Sequence, residues 1–299
     1  MSNQSSRAAA LFRLARPWHY VKNLLVFVPL FFSGQLFSSP TKVIDAGLAF
    51  ACMSLAASGT YVMNDLHDCE HDRQHPTKKN RPIASGIVSA KLAAIFAGLL
   101  FLLSIALHAF ICVRSGAVAY ATAVLAAYIV CNVGYSVFGL KNMPIIDVSI
   151  VALGFVLRIL YGSAAAGIRV SSWLLLTVLM GSYYMALGKR RNELRDSGEK
   201  TRAVLRHYTE EFLSRNMYMF LTLTIAFYSL WSADVAHPYA VLSVPLVAVI
   251  AMCYNLNIEG DSDGDPIEVI LRDKKLIALG VVYVLMMLYI VYARGGAVL

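Results

Sequence analysis

Nine long apolar runs constrain the fold of this chain more than any other feature. Each approaches the roughly 20 residues that an α-helix needs to cross a bilayer. The predicted spans are 21–38, 43–63, 91–113, 117–138, 144–167, 171–188, 213–233, 237–256 and 275–293. Of the 299 residues, 58% are hydrophobic and 15% are charged, whereas about 25% of the residues in soluble domains are charged. The sequence therefore predicts an all-α, polytopic membrane protein whose residues 1–299 form one embedded domain.

Positively charged side chains fall on alternate connections between these runs. Of the 26 Lys and Arg residues, 21 lie in or beside the N-terminal segment and the connections after spans two, four, six and eight, and four lie on the opposite side. Lys and Arg collect in cytoplasmic loops, which accounts for the net charge of +8 without a nucleic-acid partner. We expect a cell (inner) membrane protein with a cytoplasmic N-terminus and an external C-terminus.

An aspartate-rich segment closes the second span. Asp65, Asp68 and Asp72 are three and four residues apart, so they share one face of a helix, and Asn64 lies beside them. Neighbouring carboxylates repel one another unless a cation lies between them. Magnesium takes oxygen ligands and typically combines one or two carboxylates with phosphate oxygens of a substrate. The segment therefore predicts a diphosphate site in which these three aspartates bind Mg²⁺.

Basic and histidine side chains in the same segment suit other ligands. The basic side chains of Lys78 and Arg81 follow the aspartates and suit additional phosphate charge. His67, His71 and His75 are also four residues apart, but zinc sites use closed tetrahedral ligation and no H-E-x-x-H motif occurs. A solvated helix end would account for one or two of the acidic residues, and it remains the alternative to a metal site.

The segment from Asn64 to Gly86 resembles the first signature of the UbiA-type prenyltransferase superfamily. The run from Tyr135 to Lys141, followed by Asp147, is similar to that superfamily's tyrosine-lysine motif, and the count of nine spans agrees. The resemblance covers essentially the whole chain. It implies a UbiA-like helical bundle around a central cavity and a magnesium-dependent transferase, with Tyr135 and Lys141 reaching the donor substrate.

The segment 188–194 is similar to one branch of that superfamily, the decaprenyl-phosphate phosphoribosyltransferases. Ordinary prenyltransferases of the superfamily carry a second acidic Asp-x-x-x-Asp motif there. This sequence instead carries three cations and one acid, at Lys189, Arg190, Arg191 and Glu193. The similarity to this branch extends to the segments 16–23 and 75–78. A basic second site suits a phosphate that is bound without its own metal, and a positive-inside stop signal is the alternative interpretation.

The resemblance to this branch implies a particular reaction. It is the transfer of 5-phosphoribosyl from phosphoribosyl diphosphate to a polyprenyl phosphate, with release of diphosphate. The acceptor is already anionic, so no catalytic base is expected. Contacts to the acceptor or to the 5-phosphate are predicted for Lys22, Lys189, Arg190 and Arg191. The resemblance also suggests a homo-oligomer, a trimer.

Arg158 lies well inside the fifth predicted span. A charge at such a position is costly and usually faces a cavity or a partner. We predict that Arg158 faces the active chamber and contacts a phosphate or an acid, and a structural ion pair is the alternative.

Two other functions stay open from the sequence. Classical prenyl transfer, from a prenyl diphosphate to an aromatic acceptor, is disfavoured by the basic segment 189–191, because that chemistry uses a second acidic site. A transporter usually has interrupted helices at the membrane midplane and internal repeats, and the sequence shows no repeat.

Overall fold

The computed structural model describes residues 2–74, 78–197, 202–234, 239–260 and 266–293, and the described residues contain helices and no β-strand. The α-helices are α1 (Ser2–Ala15), α2 (Val28–Phe32), α3 (Pro40–His67), α4 (Cys69–Gln74), α5 (Ala90–Ser115), α6 (Val118–Val137), α7 (Ile146–Ala166), α8 (Ser172–Ser197), α9 (Glu210–Asp234), α10 (Ser243–Glu259), α11 (Pro266–Arg272) and α12 (Lys274–Leu288). Shorter 3₁₀ segments are Pro17–Phe27, Lys78–Asn80, Leu140–Asn142, Ala203–His207 and Ala240–Leu242, and a π-helical turn, Tyr289–Ala293, follows α12. The predicted all-α class is confirmed.

The ends of the long helices follow local sequence signals. The side chain of Ser89 accepts a hydrogen bond from the Leu92 amide at the start of α5. Gly116 ends the same helix with a φ of 69°, a left-handed conformation that glycine adopts without a steric penalty. Asp273 accepts a bond from the Lys275 amide, 2.7 Å away, at the start of α12. These side chains and the left-handed turn pair backbone groups that a helix end leaves without intrahelical partners.

Six helical segments in the described part of the chain are long and apolar enough to cross a membrane. They are Pro40–His67, Ala90–Ser115, Val118–Val137, Ile146–Ala166, Ala240–Glu259 and Lys274–Ala293. They coincide with the second to fifth, eighth and ninth spans expected from the sequence. Large apolar side chains such as Leu102, Ile105 and Val130 are exposed on them, as expected for surfaces that face lipid. The chain is an integral membrane protein.

The other three predicted spans have a different character, and the count of nine is not confirmed. The first, 21–38, contains the end of the Pro17–Phe27 3₁₀ helix and the five-residue helix α2 instead of one long helix. The sixth and seventh coincide largely with α8 and α9. The end of α8 and the start of α9, which the sequence predicts to be cytoplasmic, carry runs of charged side chains. The sixth and seventh apolar runs therefore predicted helices correctly. They did not determine how many helices cross the membrane.

The chain divides into two compact units. The first comprises Met1–Val28, Pro40–Leu140 and Leu157–Ile168. Its core is built where α3 packs on α5 and α6. The buried face of α3 is rich in small side chains, including Ala49, Cys52 and Ala56, and small residues let membrane helices approach closely.

The second unit comprises Pro29–Ser39, Lys141–Val156 and Arg169–Leu299. Its most extensive packing joins α8 to α9, and α10 packs on α12. Leu205, Leu213 and Ile258 are fully buried in its core. The division falls within α7, and the single embedded domain expected from the sequence stays a prediction.

A close approach inside the first unit depends on Gly162 of α7. A Cβ atom at this position would lie 2.0 Å from the carbonyl oxygen of Val26 and 2.8 Å from its carbonyl carbon. Because these are backbone atoms of a packed 3₁₀ segment, they cannot rotate away. We expect Gly162→Ala to lower the free energy of unfolding by at least about 2 kcal/mol, the usual scale of overpacking. Thermal denaturation of the purified variant in detergent measures this loss.

Gly98 of α5 provides the matched control for this substitution. A Cβ atom there would meet nothing within 4 Å, and alanine is the better helix former by about 1 kcal/mol. Gly98→Ala should therefore leave the denaturation midpoint unchanged or raise it slightly. Equal midpoints for the two variants would show that the backbone contact at Val26 does not constrain the fold.

Candidate functional site

The three aspartates lie where α3 ends and α4 begins. Asp65 is in the last turn of α3, Asp68 occupies the junction, and Asp72 is in α4. The Asp68 amide donates to the Asn64 carbonyl at 2.9 Å, and the Asp72 amide donates to the Asp68 carbonyl at 2.8 Å. Helical hydrogen bonding therefore continues through the junction. Because the helical repeat is preserved, the three side chains lie on one side of it.

Two arginines contact the aspartates directly. Nη1 of Arg81 lies 2.9 Å from Asp65 Oδ1 and 2.8 Å from Asp72 Oδ2, so one cationic nitrogen bridges both carboxylates. Nη2 of Arg16 lies 2.6 Å from the same Asp65 oxygen. The Asp65 and Asp72 side chains are only 2% and 3% exposed, and buried carboxylates require this kind of compensation.

Arg16 is a site residue that the sequence reasoning did not single out. It has a left-handed backbone, with a φ of 52° and a ψ of 56°, immediately before the 3₁₀ segment. Its guanidinium also lies over the ring of Tyr61, 5.2 Å from the centroid. Its place at the start of the segment 16–23, which carried part of the resemblance, was a signal in the sequence, and the contact with Asp65 arises only through folding.

The donor set at this junction fits magnesium. Asp65 and Asp72 present hard carboxylate oxygens to one shared position, where the Arg81 nitrogen now lies. Among the residues that the structure describes, no three His, Cys, Asp or Glu side chains form a ready-made metal cluster. The fold thus brings two of the predicted metal ligands, Asp65 and Asp72, together around the guanidinium of Arg81. Asp68 and Asn64 beside them are half-buried.

The remaining residues predicted for the first site are placed as follows. Lys22 lies in the 3₁₀ segment Pro17–Phe27, and Lys78 begins the 3₁₀ segment Lys78–Asn80; both side chains are half-buried. Tyr135 is in the last turn of α6, and Lys141 lies in the 3₁₀ segment Leu140–Asn142. His75 and its two following neighbours, which carried part of the resemblance, lie outside the described residues.

Arg158 is buried in the first unit, where it donates hydrogen bonds to Asn23 and Tyr128. Its Nε donates to Asn23 Oδ1 at 2.7 Å, and one terminal nitrogen donates to the hydroxyl of Tyr128 at 3.0 Å. The guanidinium also lies 5.0 Å from the centroid of the Tyr128 ring. Asn23 in turn donates to Ser54 of α3. Arg158 therefore joins α7 to the segment that carries Lys22, and its predicted phosphate contact stays a prediction.

Arg190 is buried in the second unit beside an acidic pair. Its Nε lies 2.6 Å from Asp147 Oδ2, and its Nη1 lies 2.9 Å from Glu193 Oε2. Burial by itself would raise the pKa of Glu193, but Arg190, Arg202 and Lys189 outweigh burial and lower it. The basic segment that looked unpaired in the sequence is thus partly neutralised by its own fold.

Tyr208 completes this cluster and was missed by the sequence reasoning. Its hydroxyl donates to Asp147 Oδ1 at 2.7 Å and accepts the amide hydrogen of Ile145 at 2.5 Å. Burial raises the pKa of Tyr208 far above the physiological range, so it remains a donor. Ile145 has a φ of 69°, which is unusual for a β-branched residue, and the Tyr208 bond supports this strained turn next to Lys141.

Arg191 and its neighbours bind the C-terminal end of α10. Arg191 contacts the Glu259 carboxylate at 2.6 Å, and Asn192 donates to the Ile258 carbonyl at 3.0 Å. Arg195 donates to the carbonyls of Glu259 and Gly260. Cations and donors are favourable at the negative end of a helix. These residues therefore have a structural role in the second unit, whatever ligand they also contact.

The last polar loop in the sequence follows α10. Its acidic start, Asp261–Asp265, lies outside the described residues. Asp273 accepts hydrogen bonds from the Asn257 side chain and the Lys275 amide, which lower its pKa. The described part of this loop thus connects α10 to the start of α12.

Comparison with known proteins decides the family. The sequence profile described as the UbiA prenyltransferase family matches residues 25–271. The chain belongs to the UbiA prenyltransferase family. Decaprenyl-phosphate phosphoribosyltransferase from Corynebacterium glutamicum is 36% identical to this UbiA family member over 95% of the chain and 87% of the relative. The protein of that name from Mycolicibacterium smegmatis is 35% identical over 90% and 88%. The family resemblance that the sequence showed and the transferase class are confirmed.

Solved structures of UbiA homologues share the fold of this family member. A UbiA homologue from Archaeoglobus fulgidus bound to DMAPP and Mg²⁺ superposes with a TM-score of 0.73 at 18% identity, covering 94% of this chain and 98% of the other. The same homologue bound to GPP and Mg²⁺ gives a TM-score of 0.72 at 17% identity, over 94% and 99%. At this level of identity the likeness establishes the fold alone.

Proposed function

We propose that this UbiA family member transfers 5-phosphoribosyl from phosphoribosyl diphosphate to a polyprenyl phosphate and releases diphosphate, with Mg²⁺ as cofactor. Two relatives named decaprenyl-phosphate phosphoribosyltransferase are 35–36% identical to this chain over nine-tenths or more of its length. The single structural observation that carries the proposal is the buried pair Asp65 and Asp72, which converge on one cationic nitrogen. Two carboxylates at such a position suit a metal that also binds a diphosphate.

Each candidate residue has a role that follows from its chemistry. Asp65, Asp68 and Asp72 would hold the metal, which supplies positive charge for the departing diphosphate. Asn64, which directly precedes Asp65, would contact the substrate beside this group. Arg81 and Lys78 donate hydrogen bonds to diphosphate oxygens, and the guanidinium of Arg81 can do so through two parallel bonds. Charge that develops on the leaving group is thereby stabilised by donors that contact the bound diphosphate.

The acceptor side relies on cations. A polyprenyl phosphate carries its nucleophilic oxygen in ionised form, so the reaction needs binding and orientation and no proton abstraction. We assign phosphate contacts to Lys22 and Lys189, and donor contacts to Tyr135 and Lys141. Arg190, Arg191 and Glu193 shape the second site through the ion pairs described above, and Arg158 orients the segment that bears Lys22.

The proposed setting is the cytoplasmic side of a cell (inner) membrane. The distribution of Lys and Arg supports a cytoplasmic N-terminus and aspartate junction and an external C-terminus. A homotrimer is proposed from the resemblance, and the mass of the purified protein in detergent, measured by light scattering, tests it.

One assay tests the reaction. The purified protein in nanodiscs is incubated with Mg²⁺, phosphoribosyl diphosphate labelled in the ribose and a polyprenyl phosphate, and label is counted in the lipid phase. Labelled lipid that disappears when the metal is chelated is the expected result. Product formed only from a prenyl diphosphate and an aromatic acid would replace the proposal by classical prenyl transfer. Turnover with neither pair would exclude both reactions.

A further inference from the structure

The Arg81 side chain occupies the position at which Asp65 and Asp72 converge. Its Nη1 contacts one oxygen of each carboxylate, at 2.9 and 2.8 Å. Arg16 adds a second cation on Asp65 Oδ1, at 2.6 Å. The two arginines differ in their contacts: Arg81 contacts both aspartates, and Arg16 contacts Asp65. The protein thus carries its own cations at the place where a metal would bind the same oxygens.

Arginine and a metal cannot share this position. A magnesium ion binds oxygens at about 2.0–2.1 Å, and a guanidinium nitrogen held by the same two oxygens leaves no room for it. The guanidinium also cannot withdraw by losing its proton, because it stays charged at all relevant pH values. Arg81 must therefore turn away before a metal can bind Asp65 Oδ1 and Asp72 Oδ2 together. Its side chain is 26% exposed, unlike the buried carboxylates, so it has solvent into which it can turn.

We propose that Arg81 is a built-in competitor of the metal, which keeps affinity for a free divalent cation low until a diphosphate arrives. A diphosphate gives the displaced guanidinium new anionic partners, and arginine binds phosphate oxygens with a matching pair of donors. Loss of the aspartate contacts is then offset by contacts to the ligand. Metal and diphosphate consequently strengthen each other's binding, a coupling that is reciprocal by necessity. This inference rests on the proposed function for the metal and the diphosphate, and it does not depend on the group that the diphosphate carries.

Binding of Mn²⁺ without any donor substrate tests the competition. Free Mn²⁺ is measured by electron paramagnetic resonance with the purified full chain in nanodiscs. Arg81→Gln removes a cation from both carboxylates, and we expect Mn²⁺ to bind about tenfold more tightly than to wild type, the scale of one hydrogen bond to a charged group. Arg16→Gln removes a cation from one carboxylate and should give a smaller gain.

Arg73→Gln is the matched control. It removes one positive charge from α4, but the acidic partner of Arg73 is Glu70, at 2.6 Å on an exposed surface, and the Arg73 Nε donates to the Ala84 carbonyl at 3.4 Å. Its Mn²⁺ affinity should equal that of wild type. The expected order of affinity gain is Arg81→Gln, then Arg16→Gln, then Arg73→Gln. An Arg81→Gln protein that binds Mn²⁺ no more tightly than wild type overturns the proposal. If Arg81→Gln fails to fold, Arg16→Gln against Arg73→Gln decides: equal affinities overturn it.

A second measurement should move in the opposite direction. Labelled inorganic diphosphate is titrated at saturating Mg²⁺, and Arg81→Gln should bind it at least about tenfold more weakly, because a charge-assisted contact is lost. Weaker binding of both ligands would mean that Arg81 only supports the site, which overturns the competition. Neither titration contains a ribosyl donor or a lipid acceptor. A negative phosphoribosyl assay together with the expected metal order would refute the proposed function alone.

Discussion

Replacing Asp65 by asparagine is expected to reduce the rate of phosphoribosyl transfer by about 10³-fold, the scale on which loss of one transition-state contact reduces turnover. Asparagine has nearly the same shape, so packing in the last turn of α3 is preserved. The negative charge that balances Arg16 and Arg81 is lost, and with it the proposed ligand of the metal. The two guanidiniums then face a neutral amide, and the remaining carboxylate of Asp72 pairs with Arg81 alone. The rate of label transfer to polyprenyl phosphate at saturating substrates measures the loss.

Glu70→Gln is the control for this substitution. Glu70 lies in the neighbouring helix α4 and has an exposed side chain paired with Arg73, so its neutralisation should change the rate less than twofold. Asp65→Asn should also weaken Mn²⁺ binding, which separates loss of the metal from loss of the lipid acceptor. An Asp65→Asn protein with more than a tenth of the wild-type rate would show that this carboxylate is not a metal ligand in the reaction.

Asp147→Asn is expected to destabilise the folded protein by about 3 kcal/mol, the lower end of the cost of breaking a buried ion pair. Asp147 is fully buried, and Arg190 beside it is 4% exposed. Without the carboxylate, Arg190 retains Glu193 as its remaining acidic partner among those described above, which is why the lower end applies. Tyr208 also loses a charged acceptor. The midpoint of thermal denaturation in detergent should therefore fall by several degrees.

A double-mutant cycle shows whether this loss comes from the Asp147–Arg190 pair. The double variant Asp147→Asn/Arg190→Gln should lose clearly less free energy of unfolding than the sum of the two single losses. The reason is that the double variant removes both charges of the pair, whereas each single variant leaves one of them buried without the other. Glu211→Gln serves as the comparison: its ion pair with Arg215 is exposed on α9, and such pairs contribute at most about 1 kcal/mol. Additive effects of the buried pair would mean that the two side chains do not interact energetically.

Much of the first site followed from sequence spacing. Asp65, Asp68 and Asp72 share a side of the α3–α4 junction because backbone hydrogen bonds continue through it, as the three- and four-residue spacing predicted. Arg81 was expected to bind phosphate, which stays a prediction, and its guanidinium lies beside the aspartates. What spacing could not indicate is that its guanidinium bridges the two carboxylates, because the loop between α4 and Arg81 has no periodic pattern that fixes its path.

The second site shows a limit of charge counting. In sequence, three adjacent cations in segment 189–191 faced one nearby acid. In the folded unit, Arg190 pairs with Asp147 and Arg191 pairs with Glu259. Those acids lie more than 40 residues away along the chain in opposite directions, and a local window cannot include them. The net positive charge available to a ligand is therefore smaller than the sequence implied.

By itself the sequence determined that this protein is helical, that it lies in a membrane, and that several aspartates follow the second apolar span. These properties depend on apolar length and on helical spacing, which are local and additive along the chain. Only the tertiary structure decided which charges meet. Arg16 reaches Asp65, Arg158 reaches Asn23, and Arg190 reaches Asp147, because buried charges must find partners wherever packing brings them, and packing joins residues that the sequence holds far apart.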